Sequence, residues 1–153
     1  MTILIRKAEP NDLPALLRLL EALFGIETDF AFDPAKQAAG LGLLLTSDGA
    51  RVLVAEHDGA VVGMGSIQIV VSTAEGGPVG WVEDLVVAAD HRGRGIGRRL
   101  LEHLEAWAVE RGLSRLQLLA DRHNSDALGF YQRLGWQRTA LLALRKFPAQ
   151  DRR

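Results

Sequence analysis

The chain contains no cysteine. Disulfides, zinc–thiolate sites, iron–sulfur clusters and thiol nucleophiles are therefore excluded together. The same absence suits a reducing compartment. Net charge is scarce as well: 18 Lys plus Arg stand against 19 Asp plus Glu, for a formal charge of -1. That balance gives no general attraction to nucleic acid or to an anionic membrane. No apolar run approaches the ~20 residues that span a bilayer. The opening MTILIRKAEP has one short apolar stretch before Arg6 and Lys7, which is not a signal-peptide pattern. A cytoplasmic protein with no membrane partner is expected. His57, His91, His103 and His123 lack metal-ligand spacing, so no metal is expected. Gly65-Ser66 does not extend to the Gly-x-Ser-x-Gly of a hydrolase.

What remains is ordinary globular material. The 153 residues are 48% apolar and 24% charged, enough for one core. A single domain is assigned to residues 1–147, with a polar tail at 148–153.

Periodicity and turn signals order the elements. Ile3–Lys7 reads as a strand. Asn11 can cap a helix carrying Leu13, Leu16, Leu17, Leu20, Leu23 and Phe24 on one face. Pro34–Leu45 reads as a second helix. Arg51–Glu56 and Val61–Val71 are strands joined by an Asp58-Gly59 hairpin signal. Trp81–Val87 is a third strand of this run, after a loop from Ser72 to Pro78. A helix from about Ile96 ends at Gly112. Leu116–Ala120 is a strand, Asn124 or Ser125 opens a last helix that Gly135 stops, and Trp136–Phe147 should supply one or two closing strands. The fold class is α/β (α+β): one mixed, mostly antiparallel sheet of six to seven strands with about four helices on both faces. Trp81, Trp107 and Trp136 read as core or interface residues.

The most informative stretch is His91-Arg92-Gly93-Arg94-Gly95-Ile96-Gly97-Arg98-Arg99. Its glycines let the backbone turn tightly and approach a ligand. The turn opens a helix, whose first amides lack partners and carry the positive end of the dipole. Together they make an anion cradle suited to a diphosphate. The spacing is neither the dinucleotide fingerprint nor the triphosphate loop.

Arg92-x-x-Gly95-x-Gly97, between a strand and an amphipathic helix, resembles the acetyl-CoA signature of the GNAT superfamily of N-acetyltransferases. Asn124 and Phe130-Tyr131-Gln132-Arg133-Leu134-Gly135-Trp136 resemble the family's later motif, and Arg6-Lys7-Ala8-Glu9-Pro10-Asn11-Asp12-Leu13 its entry. The resemblance covers nearly the whole chain and implies a GNAT-like fold. It also implies acetyl-CoA as cosubstrate, held by Arg92, Gly93, Arg94, Gly95, Ile96, Gly97, Arg98, Asn124 and Tyr131. A bulge in the Trp81–Val87 strand would free backbone groups at Leu85, Val86 and Val87 for the pantetheine arm and the thioester. A homodimer is compatible with the family.

Acetyl transfer to an amine needs a base, a polarised carbonyl and stabilisation of the departing thiolate. Strand alternation places Glu83 and Asp84 on opposite faces. The resemblance to spermidine/spermine acetyltransferases points to Glu83 as base, directly or through water; Asp84 and His123 remain open. A carboxylate paired with an arginine is the structural alternative. Tyr131, the only tyrosine, can donate a proton to a thiolate from a hydroxyl with a pKa of about 10. Its structural alternative is a half-buried core ring, and that of Asn124 is a helix cap. Without cysteine an acetyl-cysteine intermediate cannot form, so direct attack in a ternary complex is expected. A cofactor-binding sensor without turnover is the alternative. For the acceptor, a small molecule or peptide amine, Glu27, Asp29, Asp33 and Glu75 would favour a cation such as a polyamine, an aminoglycoside-like molecule or lysine. Phe24, Phe30 and Phe32 would give an apolar wall or join the core.

Overall fold

A computed structural model describes residues 2–27 and 29–149. The chain divides into two compact units, Met1–Leu118 and Leu119–Arg153. The first holds β1 (Leu4–Lys7), α1 (Leu13–Ile26), α2 (Pro34–Leu45), β2 (Ala50–His57), β3 (Ala60–Ser72), β4 (Gly77–Val87), α3 (Ile96–Glu110) and β5 (Leu116–Leu118). The second holds α4 (Ser125–Arg133).

The strands form one sheet in the order β1-β2-β3-β4-β5. The first four pair antiparallel, and β5 joins β4 in parallel after the α3 crossover. The β2–β3 turn follows directly from its residues: Asp58 and Gly59 both take positive φ, 50° and 79°. That pair of left-handed conformations matches the twist of the flanking strands.

Alternation along β3 sorts the helices between the faces. Met64 points into a cluster with Leu16, Leu20 and Leu23 of α1 and Leu41 of α2. Gly63 and Gly65, on the other face, lie under α3. A Cβ on Gly65 would stand 3.2 Å from Leu104 Cδ1 and 3.2 Å from Leu85 Cδ1. The helix seats this closely because the strand offers no side chain there. Ile96, Leu100, Leu101, Leu104 and Trp107 are its buried face.

An ion-pair cluster closes the entry to α1. Arg6 donates to both oxygens of Asp12, at 2.8 and 2.9 Å, and to Glu56 at 3.1 Å. The guanidinium holds the Asp12 carboxyl below its ordinary pKa. Asp12 also accepts from the Glu9 amide at 2.7 Å. The cap at this point is thus built by Glu9 and Asp12 around a 3-10 turn, Pro10–Asp12, and not by Asn11.

Three expectations about strands need correction. The sheet has five strands among the described residues, not six to seven. Within the second unit, 136–149 contains no strand. Leu141, Leu142 and Leu144 are 79%, 83% and 95% exposed. Ala140-Leu141-Leu142-Ala143-Leu144 has no two-residue alternation, and Ala and Leu carry little intrinsic strand preference. β4 also begins at Gly77 and not at Trp81, since Gly77 and Pro78 pair with Ser72 and Val71.

The seating of α3 yields the first prediction. Gly65→Val is expected to cost about 1–3 kcal/mol through overpacking. Urea denaturation should show a lower midpoint at unchanged slope; an unchanged midpoint would mean that α3 can yield at this contact.

Candidate active site

The site in the first unit is organised by an irregularity in β4. Met64 faces Val86 and Ser66 faces Glu83, so two steps on β3 are matched by three on β4. The extra residue makes a bulge at Asp84 and Leu85, with Asp84 in the left-handed region at φ 56°. Ser66, only 1% exposed, donates its hydroxyl proton to the Glu83 carbonyl at 3.0 Å. A backbone oxygen at the bulge is thereby satisfied inside the sheet.

The bulge corrects the alternation argument. Glu83 and Asp84 do not project to opposite faces; both line one cleft of about 390 Å³. Its other walls come from Leu20 and Phe24 of α1, Phe30, and Lys36, Leu41 and Leu44 of α2, with Gln68 of β3. Among the described residues Glu83 is not paired with an arginine: its Oε1 accepts the indole N–H of Trp81 at 2.7 Å. Asp84 is half-buried, and its pKa is raised to about 6. Burial is the main cause, followed by the charges of Glu83 and Glu27. Such a group is poised to exchange a proton near neutrality.

The glycine-rich turn follows β4 in the same unit. Gly93 and Gly95 take φ of 76° and 79°, with nothing within 4 Å of the Cβ either would carry. The helix that follows makes its first bond from the Arg99 amide to the Gly95 carbonyl. The amides of Ile96, Gly97 and Arg98 precede it and have no intrahelical partner. The Ile96 side chain is a core anchor at 2% exposure, so only its backbone is available to a ligand. Arg92 Nε donates to the Val87 carbonyl at 3.0 Å, tying the turn to the strand. Arg98 pairs with Glu102 at 2.8 Å, and Arg99 Nη1 donates to the Ile3 carbonyl at 2.8 Å. β5 pairs with β4 only at Gly80–Val82. Among the described residues no strand adds to that side of β4 at Leu85, Val86 and Val87.

The second unit carries the other expected residues. Asn124 Oδ1 accepts the Ala127 amide at 3.1 Å, so its oxygen caps α4. Tyr131 is half-buried in edge contacts with Phe130 at 5.2 Å and Trp136 at 6.0 Å between ring centroids. His123 donates its amide to Asp121 at 2.8 Å.

Of the four acidic loop residues, none lines the cleft among the described residues. Asp33 caps α2 by accepting from Ala35 and Lys36, and Glu75 faces Arg115 at 3.7 Å. The charge of Glu27 contributes to the raised pKa of Asp84. Phe24 and Phe30 do form a wall, whereas Phe32 packs on the core. Sequence reading missed three residues. Ser66 is a lone hydroxyl in an apolar strand, which was its signal. Trp81 and Glu83 share a face by their two-residue spacing, so Trp81 belongs to the site and not merely to the core. Lys36 gave no signal at all. No group of three or more metal-ligating side chains occurs among the described residues. Nor is any helix there long and apolar enough to cross a membrane.

Asp84 gives a pH prediction. Between about pH 4 and 6 the folded chain keeps a proton that the unfolded chain has released. Stability therefore falls as pH rises through that window. Asp84→Asn, which tolerates the same left-handed backbone, should stabilise the protein by up to about 3 kcal/mol above pH 7. The gain should vanish below about pH 4, and a gain independent of pH in thermal melts would refute the assignment.

Comparison with known proteins agrees with this geometry. The sequence model of the acetyltransferase (GNAT) family matches residues 13–136. An uncharacterised N-acetyltransferase of Archaeoglobus fulgidus is 34% identical over 130 residues, covering 83% of this chain and 88% of that protein. Among solved structures, a transcriptional regulator from Bacillus halodurans C-125 gives a TM-score of 0.85 at 23% identity, over 95% of this chain and 100% of the other. A predicted acetyltransferase from Clostridium acetobutylicum, solved with acetyl-CoA, gives 0.78 at 20% identity over 94% and 96%. These two likenesses concern the fold alone. The family match over most of the chain and the archaeal relative extend to the sequence itself, and the chain belongs to the GNAT acetyltransferase family.

Proposed function

We propose that this protein is an N-acetyltransferase that moves an acetyl group from acetyl-CoA to a primary amine. The observation that carries the reading is the β4 bulge, which turns two carboxylates into one cleft just ahead of a glycine-rich anion cradle. The cradle fits a diphosphate: open space over Gly93 and Gly95, unpaired first-turn amides, and Arg92, Arg94 and Arg98 around them. The Clostridium acetobutylicum neighbour with acetyl-CoA supports the choice of cosubstrate.

Acetyl-CoA would supply the activated acyl group. The amides of Ile96, Gly97 and Arg98 hold the diphosphate charge, as helix N-termini do. The backbone of Leu85, Val86 and Val87 would hold the pantetheine arm, and an amide left over by the bulge would polarise the thioester carbonyl. By its place in the motif that resembles the family's, Asn124, whose Oδ1 caps α4, would offer its side-chain N–H groups to the pantetheine amides. Glu83 takes the proton of the acceptor ammonium, directly or through one water, with its carboxylate oriented by Trp81. By its place in the motif that resembles the family's, Tyr131 would give its hydroxyl proton to the departing sulfur. The acyl group passes to the amine without residing on the protein.

The raised pKa of Asp84 favours a second assignment, in which Asp84 takes the proton. The two assignments separate by mutation. Glu83→Gln is expected to lower kcat/KM about 100-fold, the range for a lost general base. Asp84→Asn should cost less and should remove any rate limb near pH 6. The reverse order of losses would move the base to Asp84.

The cosubstrate site has its own test. Gly95→Glu places a branched-off charge at a left-handed position and against the diphosphate, and should abolish acetyl-CoA binding measured by calorimetry; unchanged affinity would sink the cradle. Turnover is read as acetyl-CoA-dependent thiol release with a thiol-reactive dye, since the cysteine-free chain adds no background.

A further inference from the structure

The walls of the cleft are unlike the acidic groove expected from the loop charges. On one side stand Glu83 and Asp84. In the same lining Phe24 and Phe30 meet at 5.5 Å between ring centroids with planes inclined by 40°. Phe30 is 47% exposed despite its apolar ring, so the wall is offered to whatever enters. Lys36, in the first turn of α2, completes the lining. Its ammonium makes no ion pair among the described residues.

We infer that the acceptor is a primary amine carried on an apolar body, and that Lys36 is a specificity-determining residue that turns away polycations. This rests on the acetyl-transfer reading of the same cleft. One ammonium is matched by the carboxylate pair, and the body behind it covers the aromatic wall. A second ammonium on a polyamine or an amino-sugar finds no further acid in the lining beyond that pair. It meets the Lys36 charge, and selection by repulsion needs only one such group. Two of the loop acids that would have drawn a polycation are spent elsewhere: Asp33 on the α2 cap and Glu75 beside Arg115.

The test is calorimetric binding of 2-phenylethylamine and of spermidine to the full chain, with and without acetyl-CoA, in the native protein, Lys36→Glu and Lys36→Arg. Lys36 is exposed, so both variants should fold, which circular dichroism checks. The native protein should bind 2-phenylethylamine at least tenfold tighter than spermidine. Lys36→Glu should narrow that ratio at least fivefold, chiefly by tightening spermidine, and Lys36→Arg should preserve it. Tighter spermidine binding in the native protein, an unchanged ratio in Lys36→Glu, or no binding of either amine at millimolar concentration would overturn the inference. Because binding is read without turnover, retained amine preference with no thiol release would count against acetyl transfer alone.

Discussion

One hydrogen bond sits beneath the whole site. The Ser66 hydroxyl, buried in the middle of the sheet, satisfies the Glu83 carbonyl where β3 and β4 fall out of step. A bulge leaves one residue too many on its strand, and an unpaired polar group inside a sheet costs free energy unless it finds a partner. With that oxygen accounted for, Asp84 can turn through a left-handed conformation and join Glu83 on the cleft side. Trp81 then fixes the Glu83 carboxylate, burial and neighbouring charge raise the Asp84 pKa, and Arg92 ties the end of β4 to the glycine turn.

The scaffold around the bulge is asymmetric by composition. One face of the sheet carries Met64 and the valines that pack under α1 and α2, while Gly63 and Gly65 clear the other for α3. The close approach of α3 brings its N-terminus to the end of β4, where the cradle is formed. Packing and site are in this sense one construction, since the same glycines that lower the helix onto the sheet set the level of its first amides.

Much of this was legible in the residues. Leucine spacing placed α1 and α3, Asp58-Gly59 the hairpin, Gly112 and Gly135 the helix ends, and the Arg92–Gly97 stretch the tight turn into α3. What was not legible followed from pairing partners that local pattern does not contain. Strand alternation put Glu83 and Asp84 apart because nothing in Trp81–Val87 announces an extra residue against β3. The closing strands expected in Trp136–Phe147 are absent from the described residues, where apolar content without two-residue alternation does not define a strand. Lys36 was invisible because a lysine in the first turn of a helix is ordinarily solvated, and only the cleft gives it neighbours.

The backbone at residue 84 also narrows the alphabet there. A left-handed conformation is comfortable for glycine, asparagine and aspartate, and strained for nearly everything else. Of those three only aspartate can carry a charge. A chain that keeps this bulge and needs a carboxylate at its apex therefore has one residue to choose, and glutamate cannot stand in without a backbone penalty. Chemistry at this position is settled by a dihedral angle before any substrate arrives.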